Sequence, residues 1–181
     1  MTLYTYNEAL KKYGSRSAVL TQVSDGRLFN IARNLYSASP HADSLVSAMK
    51  LYPEAIVTGL TAFYIHGLTD KVPIEIDLAT RRNTTRISNP EVKQHFVDNS
   101  RLNVGATTID YDGTNVRVYD LEMMLFYLVQ HDDKLPFDLY KEVVKSYRRY
   151  ADKLNYSKLQ EYSEILPWGR KHLERIIKEV L

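Results

Sequence analysis

Two carboxylates in the stretch VPIEIDLAT, Glu75 and Asp77, have the clearest capacity for chemistry in this sequence. They lie two positions apart in a run with the composition of a strand, so both project from the same face. Two neighbouring carboxylates supply the oxygen ligands that Mg²⁺ prefers beside phosphate groups. The pair therefore predicts either a metal-dependent reaction or, more simply, the solvated face of an amphipathic strand whose other face carries Ile74, Ile76 and Leu78.

The carboxylate pair resembles the metal-binding acidic pair of nucleotidyltransferases. Those enzymes carry Gly-Gly or Gly-Ser and then Asp-x-Asp, whereas this chain carries Thr58-Gly59-Leu60 and then Glu-x-Asp, with no evident third carboxylate on a later strand. The resemblance implies an alternative function, a degenerate or active Mg²⁺-dependent nucleotidyltransferase that uses Glu75 and Asp77. We favour the interpretation in which the two carboxylates only form the solvent-exposed face of an amphipathic strand.

Other residue types that form catalytic or metal sites show no such pattern. The chain has no cysteine, which excludes disulfides, thiolate metal sites and cysteine nucleophiles. Its seven glycines match neither a Walker loop nor a dinucleotide fingerprint, and its five histidines make no pair four residues apart. We interpret His66, at the end of an apolar run, as a capping or core histidine. The sequence predicts a protein that is not an enzyme, without catalytic residues, cofactor or metal.

Cations are concentrated near the amino end, although the formal net charge of the 181 residues is only +2. Five lysines and arginines stand against two carboxylates in residues 1–40, and the remainder is close to neutral. A basic segment joined to a near-neutral body indicates contact with a polyanion. The alternative is an ordinary solvated surface.

The same segment has an order of elements that could position such a contact. Its periodicity predicts a helix over residues 6–13 that ends at Gly14, and Ser15 is a good N-cap for a second helix. The predicted apolar stripe of that second helix is Val19, Leu20 and Val23. Two very short strands follow. This order is typical of a winged helix-turn-helix, and an αα-hairpin with a ribbon packed on the body is the alternative interpretation.

The polar side chains of the second helix would face a DNA major groove in that arrangement. These candidates are Arg16, Ser17, Thr21 and Gln22. The candidates that would reach phosphates or a minor groove from the ribbon are Arg27, Arg33 and Asn34. At the ribbon turn, asparagine is the next-best residue to glycine for a positive φ.

The composition changes after Pro40, which predicts a domain boundary. Residues 1–40 are assigned to a winged helix-turn-helix DNA-binding domain, and residues 41–181 to a mixed α/β domain that ends in helices, so the fold class is α+β. In the second domain, residues 41–52 and the apolar run 55–68 predict helices, and Asp112-Gly113 predicts a hairpin turn.

A polar loop with the sequence RRNTTR carries Arg81, Arg82 and Arg86. Such a cluster could bind a phosphate, an RNA or an acidic partner surface. A solvated loop is the favoured interpretation, because isolated runs of charge are common on protein surfaces.

The segment YNEALKKYG…GRLFNIARNLYS resembles the N-terminal domain of AbiEi-family antitoxins. The likeness continues through YPEAIVTGLTAFYIHGLTDKVPIEIDLAT, VKQHFVDN, GATTIDYDGTNVRVYDLEMMLFYLV and KLPFDLYKEVVKSYRRY, so it covers nearly the whole chain. It implies an antitoxin that represses its own operon by binding operator duplex DNA and counteracts an AbiEii-like nucleotidyltransferase toxin in a type IV toxin–antitoxin or phage abortive-infection system.

Two further expectations complete this interpretation. Paired operator half-sites would favour two molecules per operator, and the three arginines of the RRNTTR loop are our candidate antitoxin surface. Neither a membrane span nor a signal peptide is predicted, because the sequence has no apolar run of about 18 residues and its N-terminus lacks an apolar core before a cleavage site. We expect a cytoplasmic protein without a membrane partner.

Overall fold

The structure is a computed structural model that describes residues 2–181. It is a mixed α+β protein with two sheets, which confirms the predicted fold class. The chain divides into two compact units, of which the first ends at Pro53 and the second begins at Glu54. Within residues 2–181, no helix has both the length and the apolar character needed to cross a membrane.

The first unit contains a three-stranded antiparallel sheet and three short helices. Its elements in chain order are β1 (Leu3–Thr5), α1 (Tyr6–Tyr13), α2 (Arg16–Ser24), β2 (Phe29–Ala32), β3 (Leu35–Ser37) and α3 (Ser44–Leu51). β3 is the central strand, because Ser37 lies opposite Leu3 of β1 and opposite Phe29 of β2. The sequence did not predict β1, since three residues are too few to show an alternating pattern.

The boundary between the units lies after α3, later than residue 40, where the composition changes. α3 packs on β1, and the Lys50 ammonium lies 2.7 Å from Glu8 Oε1 of α1. This hydrogen-bonded ion pair lowers the pKa of Glu8. Asp43 caps α3, since its Oδ1 accepts a hydrogen bond from Val46 N at 2.9 Å. Residues 41–53 therefore belong to the same unit as α1 and α2.

The second unit contains a five-stranded mixed sheet and five helices. The strands are β4 (Ile56–Val57), β5 (Ile76–Arg81), β6 (Val92–Val97), β7 (Ala106–Tyr111) and β8 (Thr114–Tyr119). The helices are α4 (Gly59–Ile65), α5 (Leu121–Gln130), α6 (Phe137–Tyr150), α7 (Tyr156–Ile165) and α8 (Gly169–Arg175), with a 3₁₀ turn over Ala151–Lys153 and a π-helical turn over Ile176–Val180.

The strands of this sheet lie in the order β6-β5-β4-β8-β7. β5 is parallel to β6 and β4 is parallel to β8, whereas the other neighbouring pairs are antiparallel. The predicted hairpin is confirmed: β7 and β8 are joined by Asp112 and Gly113, whose φ angles are 49° and 75°. Both central residues of this tight turn thus have the positive φ that suits a two-residue hairpin.

The run 55–68 forms a strand and then a helix, so the prediction of one buried helix is wrong. Val57 of β4 pairs with Leu78 of β5 and with Val118 of β8, and α4 begins two residues later. Gly59 marks the change with a φ of 57°. A Cβ atom at this position would lie 2.7 Å from Asp77 Cγ, so the close approach requires glycine. Periodicity alone does not separate a short buried strand from a buried helix.

A buried carboxylate, Asp120, fixes helix α5 against α7. Its Oδ2 accepts hydrogen bonds from the Lys158 ammonium at 2.9 Å and from the Tyr162 hydroxyl at 2.8 Å. Its Oδ1 caps α5 by accepting a hydrogen bond from Met123 N at 2.9 Å. Every oxygen of this buried group is thus satisfied, which keeps α5 in one position.

Candidate nucleic-acid interface

A two-residue turn sets the relation of α1 to α2. Gly14 has a φ of 88°, and its N–H donates to Leu10 O at 2.8 Å, which closes α1. Ser15 is extended, and its hydroxyl accepts a hydrogen bond from Ala18 N at 3.2 Å, which caps α2. The predicted helix end and N-cap are both confirmed. Thr5 and Glu8 form a capping box at the other end of α1.

The inner side of α2 packs into a small apolar cluster. Val19 is buried together with Ala9 of α1 and Leu28, which follows α2. Val23 is half-buried against the same cluster. These contacts fix the rotation of α2 about its own axis.

The opposite side of α2 is exposed along its whole length. Its exposed residues are Arg16, Ser17, Leu20, Thr21 and Ser24. At about 100° per residue, these five positions fall on one continuous face of the helix. The structure therefore brings together three of the four residues predicted for the major groove.

One sequence prediction about α2 is wrong. Leu20 was assigned to the apolar stripe, but its side chain is 53 % exposed, because Val19 and Val23 already fill the contact with the cluster. Gln22, the fourth residue predicted for the major groove, is half-buried and lies outside the exposed face. Its carbonyl accepts hydrogen bonds from Arg27 N and Leu28 N, which end the helix.

Hydroxyl groups on the exposed face are partly engaged within the helix. Thr21 Oγ1 donates to Ser17 O at 3.1 Å, and Ser24 Oγ donates to Thr21 O at 2.9 Å. The Ser17 hydroxyl lies 3.0 Å from that of Ser15. The Arg16 guanidinium makes no hydrogen bond or ion pair with any residue in the range 2–181. Arg16 thus holds the largest unused donor capacity on this face.

The hairpin of β2 and β3 presents two of the three residues predicted for the ribbon. Arg33 and Asn34 are exposed at its turn, and Asn34 has the expected positive φ, 65°. Asn34 O also accepts a hydrogen bond from Tyr6 N at 2.9 Å, which ties the turn to the start of α1. Arg27 is exposed before the hairpin. Neither arginine forms an ion pair with a described residue.

One of the five amino-terminal cations has an intramolecular role. The Lys12 ammonium lies over the ring of Tyr4 at 4.4 Å and over that of Tyr13 at 5.3 Å from the ring centroids. It also donates a hydrogen bond to the Tyr4 hydroxyl, which raises the pKa of Lys12. The Lys12 ammonium is therefore held by Tyr4 of β1 and by Tyr13 rather than left free for a polyanion.

The structure separates the carboxylates of the VPIEIDLAT stretch. Glu75 precedes β5 and is exposed, whereas Asp77 is buried within it. Asp77 Oδ2 accepts a hydrogen bond from Leu60 N at 3.1 Å, near the start of α4, and Asp77 Oδ1 lies 2.6 Å from His95 Nε2. Both oxygens of Asp77 thus have partners inside the second unit.

The interpretation of that stretch as the solvated face of an amphipathic strand is wrong. Ile74, which was expected on the buried side of the strand, is 97 % exposed, whereas Asp77 is 5 % exposed. The reason is that β5 begins only at Ile76 and that every residue from Ile76 to Thr80 is buried, with the start of α4 lying against the Asp77 side chain. A strand that is buried on both faces has no solvated side.

His66 and the arginine loop also have definite positions. His66 Nε2 lies 2.7 Å from Tyr119 O, which matches the predicted capping or core role. Arg81, Arg82 and Arg86 are all exposed. Arg82 lines a cavity with His95, while Arg86 lines a separate groove with Glu75.

Comparison with known proteins does not assign this chain to a family. The chain matches no protein-family model, and it matches none of the curated proteins. Among the described residues, no group of three or more His, Asp or Glu side chains is arranged to hold a metal ion. The exposed face of α2 and the hairpin of β2 and β3 with its exposed arginine form the candidate interface of the first unit.

Proposed function

We propose that this chain is an AbiEi-like antitoxin and transcriptional autorepressor. In this proposal, the first unit is a minimal winged helix-turn-helix that binds operator DNA, and the second unit counteracts a nucleotidyltransferase-type toxin. The protein would act in the cytoplasm, within a type IV toxin–antitoxin operon that contributes to phage defence. The resemblance of the sequence to AbiEi antitoxins supplies the antitoxin part of the proposal.

One observation carries the DNA-binding part: the exposed face of α2 combines a free arginine with an aliphatic side chain and hydroxyl groups. An arginine can bond both O6 and N7 of guanine, and an aliphatic side chain can contact the methyl group of thymine. Arg16 and Leu20 supply these two groups on one face. The proposal therefore replaces Gln22 by Leu20 among the residues that read bases.

The hairpin supports this arrangement through charge. Arg27 and Arg33 are exposed and have no ion-pair partner among the described residues, so their guanidinium groups are available for phosphate oxygens. Phosphate contacts fix the register of a protein on a duplex without reading its sequence. In the proposal, α2 therefore reads bases while the hairpin holds the backbone, and paired half-sites would place two molecules on each operator.

The test is binding to a duplex from the region upstream of the chain's own coding sequence, compared with a shuffled duplex of equal length. We expect Arg16→Ala to lower the discrimination between them by about 1–3 kcal/mol. Arg33→Ala should weaken both complexes alike, which makes it the matched control. Fluorescence anisotropy measures both. If Arg16→Ala, like Arg33→Ala, weakens both complexes equally, Arg16 contacts the DNA phosphate backbone rather than a base. A folded wild-type protein without preference for the upstream duplex would contradict the proposal.

The antitoxin part is tested separately, by rescue of cells that express the cognate toxin. Because Arg82 and Arg86 line different surfaces, they are changed one at a time to Ala, alongside the triple variant that includes Arg81. Loss of rescue in one single variant would assign the contact to one surface. Full rescue by the folded triple variant would remove this loop from the proposal and leave the DNA-binding part intact.

The alternative, nucleotidyl transfer through Glu75 and Asp77, requires two carboxylates that face the same metal ion. Glu75 is exposed outside β5, and Asp77 is buried with both oxygens hydrogen-bonded, so this geometry favours the antitoxin proposal. A Mg²⁺-dependent transfer assay with each nucleoside triphosphate distinguishes the two. Transfer by the wild type that is lost in Asp77→Asn would support the alternative.

A further inference from the structure

A cavity of about 320 Å³ opens in the second unit, and one residue of the candidate antitoxin surface, Arg82, lines it. It is lined by residues of β6, of α5 and of the segment after α7. This volume falls at the lower end of the range for small-molecule sites. Its lining contains two groups of side chains with different chemistry.

The first group is a row of three rings that are held in fixed orientations: His95, Tyr127 and His131. The ring of His131 stacks on that of Tyr127, with centroids 4.2 Å apart and planes at 22°. His131 Nδ1 lies 3.0 Å from Tyr127 O, and His95 Nε2 lies 2.6 Å from the buried carboxylate of Asp77. Burial lowers the pKa of His131, so its ring is neutral at pH 7. These contacts provide a rigid aromatic wall.

The second group consists of two arginines, Arg82 and Arg101. The Arg82 guanidinium makes no hydrogen bond or ion pair within residues 2–181. Arg101 Nη2 lies 3.5 Å from Asp98 Oδ2. Oδ1 of that carboxylate already accepts hydrogen bonds from Ser100 N at 3.1 Å and from Ser100 Oγ at 2.6 Å. Both arginines therefore keep donor groups that a ligand can use.

Tyr127 adds a polar group to the aromatic wall. Its hydroxyl forms no hydrogen bond with any described residue, although the residue is largely buried. Burial raises the pKa of Tyr127, so the hydroxyl stays protonated at pH 7 and can donate. This hydroxyl is therefore available as a hydrogen-bond donor to a ligand in the cavity.

We propose that this cavity binds a small phosphate monoester that carries a flat aromatic ring, the chemistry of a nucleoside monophosphate. Arg82 and Arg101 would hold the phosphate, because a guanidinium matches phosphate oxygens in a bidentate geometry. The rings of Tyr127 and His131 would contact the aromatic part. One carboxylate, Asp98, lies beside the two arginines, so the positive charges exceed the negative charge there. The Asp77 carboxylate is hydrogen-bonded by Leu60 N and contacts His95 Nε2.

The test is isothermal titration calorimetry of the full chain at pH 7.5 and about 0.15 M salt, where weak surface electrostatics are screened. The probes are AMP, adenosine and sodium phosphate. We expect AMP to bind with a Kd of about 1 mM or tighter, and adenosine and phosphate each to bind at least tenfold more weakly.

Two variants form a matched pair. Arg82→Gln should weaken AMP binding at least tenfold, whereas Arg86→Gln, in the same loop but lining the other groove, should leave it within twofold. Tyr127→Phe keeps the ring and should weaken binding severalfold. Thermal unfolding checks that each variant is folded. The proposal is overturned if wild type does not bind AMP, if adenosine or phosphate binds as tightly as AMP, or if Arg86→Gln loses as much affinity as Arg82→Gln.

Discussion

Val19 and Leu20 are consecutive on α2 and lie in opposite environments: Val19 is 1 % exposed, and Leu20 is 53 % exposed. Val19 completes the cluster with Ala9 and Leu28. Leu20 stands in the middle of a face whose other members are Arg16 and three hydroxyl residues. Covering an exposed leucine with a partner stabilises the complex, because apolar surface is removed from water. Val19 should therefore contribute to folding stability, and Leu20 to binding.

Leu20→Ala should therefore weaken operator binding by about 1–2 kcal/mol, through loss of buried apolar surface, while the free energy of unfolding changes by less than about 0.5 kcal/mol. The matched variant is Val19→Ala, which should lower the free energy of unfolding by about 1–3 kcal/mol. Urea unfolding and fluorescence anisotropy measure the two effects. A Leu20→Ala protein that binds the upstream duplex as well as wild type would remove Leu20 from the interface.

Salt dependence reports how many cations reach phosphates. Each neutralised phosphate contributes about −0.9 to the slope of log K against log salt concentration. The Lys12 ammonium is held by Tyr4 and Tyr13, and Arg16 is assigned to a base. Three exposed cations of residues 1–40 are left for phosphates, so we expect a slope of about −3 per protomer. Anisotropy titrations between about 0.05 and 0.2 M salt measure it. A slope beyond about −8 would mean that arginines of the second unit also touch DNA.

Features with a local cause could be predicted from the sequence. The helix end at Gly14, the cap at Ser15, the positive φ of Asn34 and the Asp112-Gly113 hairpin each depend on a few adjacent residues. What the sequence did not predict depends on distant partners. Asp77 is buried because the start of α4 and the His95 side chain of β6 lie against its carboxylate, and periodicity carries no information about such neighbours.

In the candidate sites too, features that depend on adjacent residues were predictable, and features that depend on distant partners were not. Arg16, Ser17 and Thr21 were placed on one helix face because helical spacing is local. Arg82 could not be linked to a cavity from the sequence, since its neighbours there come from β6 and α5. Nothing in the spacing of the RRNTTR loop separates Arg82 from Arg86.

The boundary at Pro53 makes a prediction about fragments. Residues 54–181 should fold alone, with a cooperative thermal transition in circular dichroism, because the five-stranded sheet and its helices are contained in that range. Residues 41–181 also contain α3, but without β1 and without Glu8, which pairs with Lys50. We expect α3 to add no cooperative structure there. Neither fragment should bind the upstream duplex, and binding by either would contradict the assignment of DNA contacts to the first unit.

His66 makes stability depend on pH. Burial lowers its pKa, an effect only partly opposed by the Tyr119 carbonyl and by the charges of Asp120 and Glu122. The folded protein then binds fewer protons than the unfolded chain below the ordinary histidine pKa of about 6.5. Stability is therefore lost as pH falls through about 6.5 towards the folded-state pKa.

The test of this dependence is the Tm measured between pH 7.5 and 5.5. His66→Gln should show a smaller fall than wild type, although the lowered pKa values of His131 and His172 leave part of the dependence. His41→Gln, at an exposed position, is the matched control and should follow wild type. An unchanged fall in His66→Gln would show that His66 does not contribute.

The position of β4 has a consequence for synthesis on the ribosome. Val57 pairs in parallel with Val118, so the two halves of the sheet cannot join until about 60 further residues have been added. At about 5–20 residues per second this takes about 3–12 s. The first unit needs nothing beyond Pro53 and is complete before that interval begins. A translation product that terminates within the interval therefore carries the whole α2 face attached to an unfinished sheet.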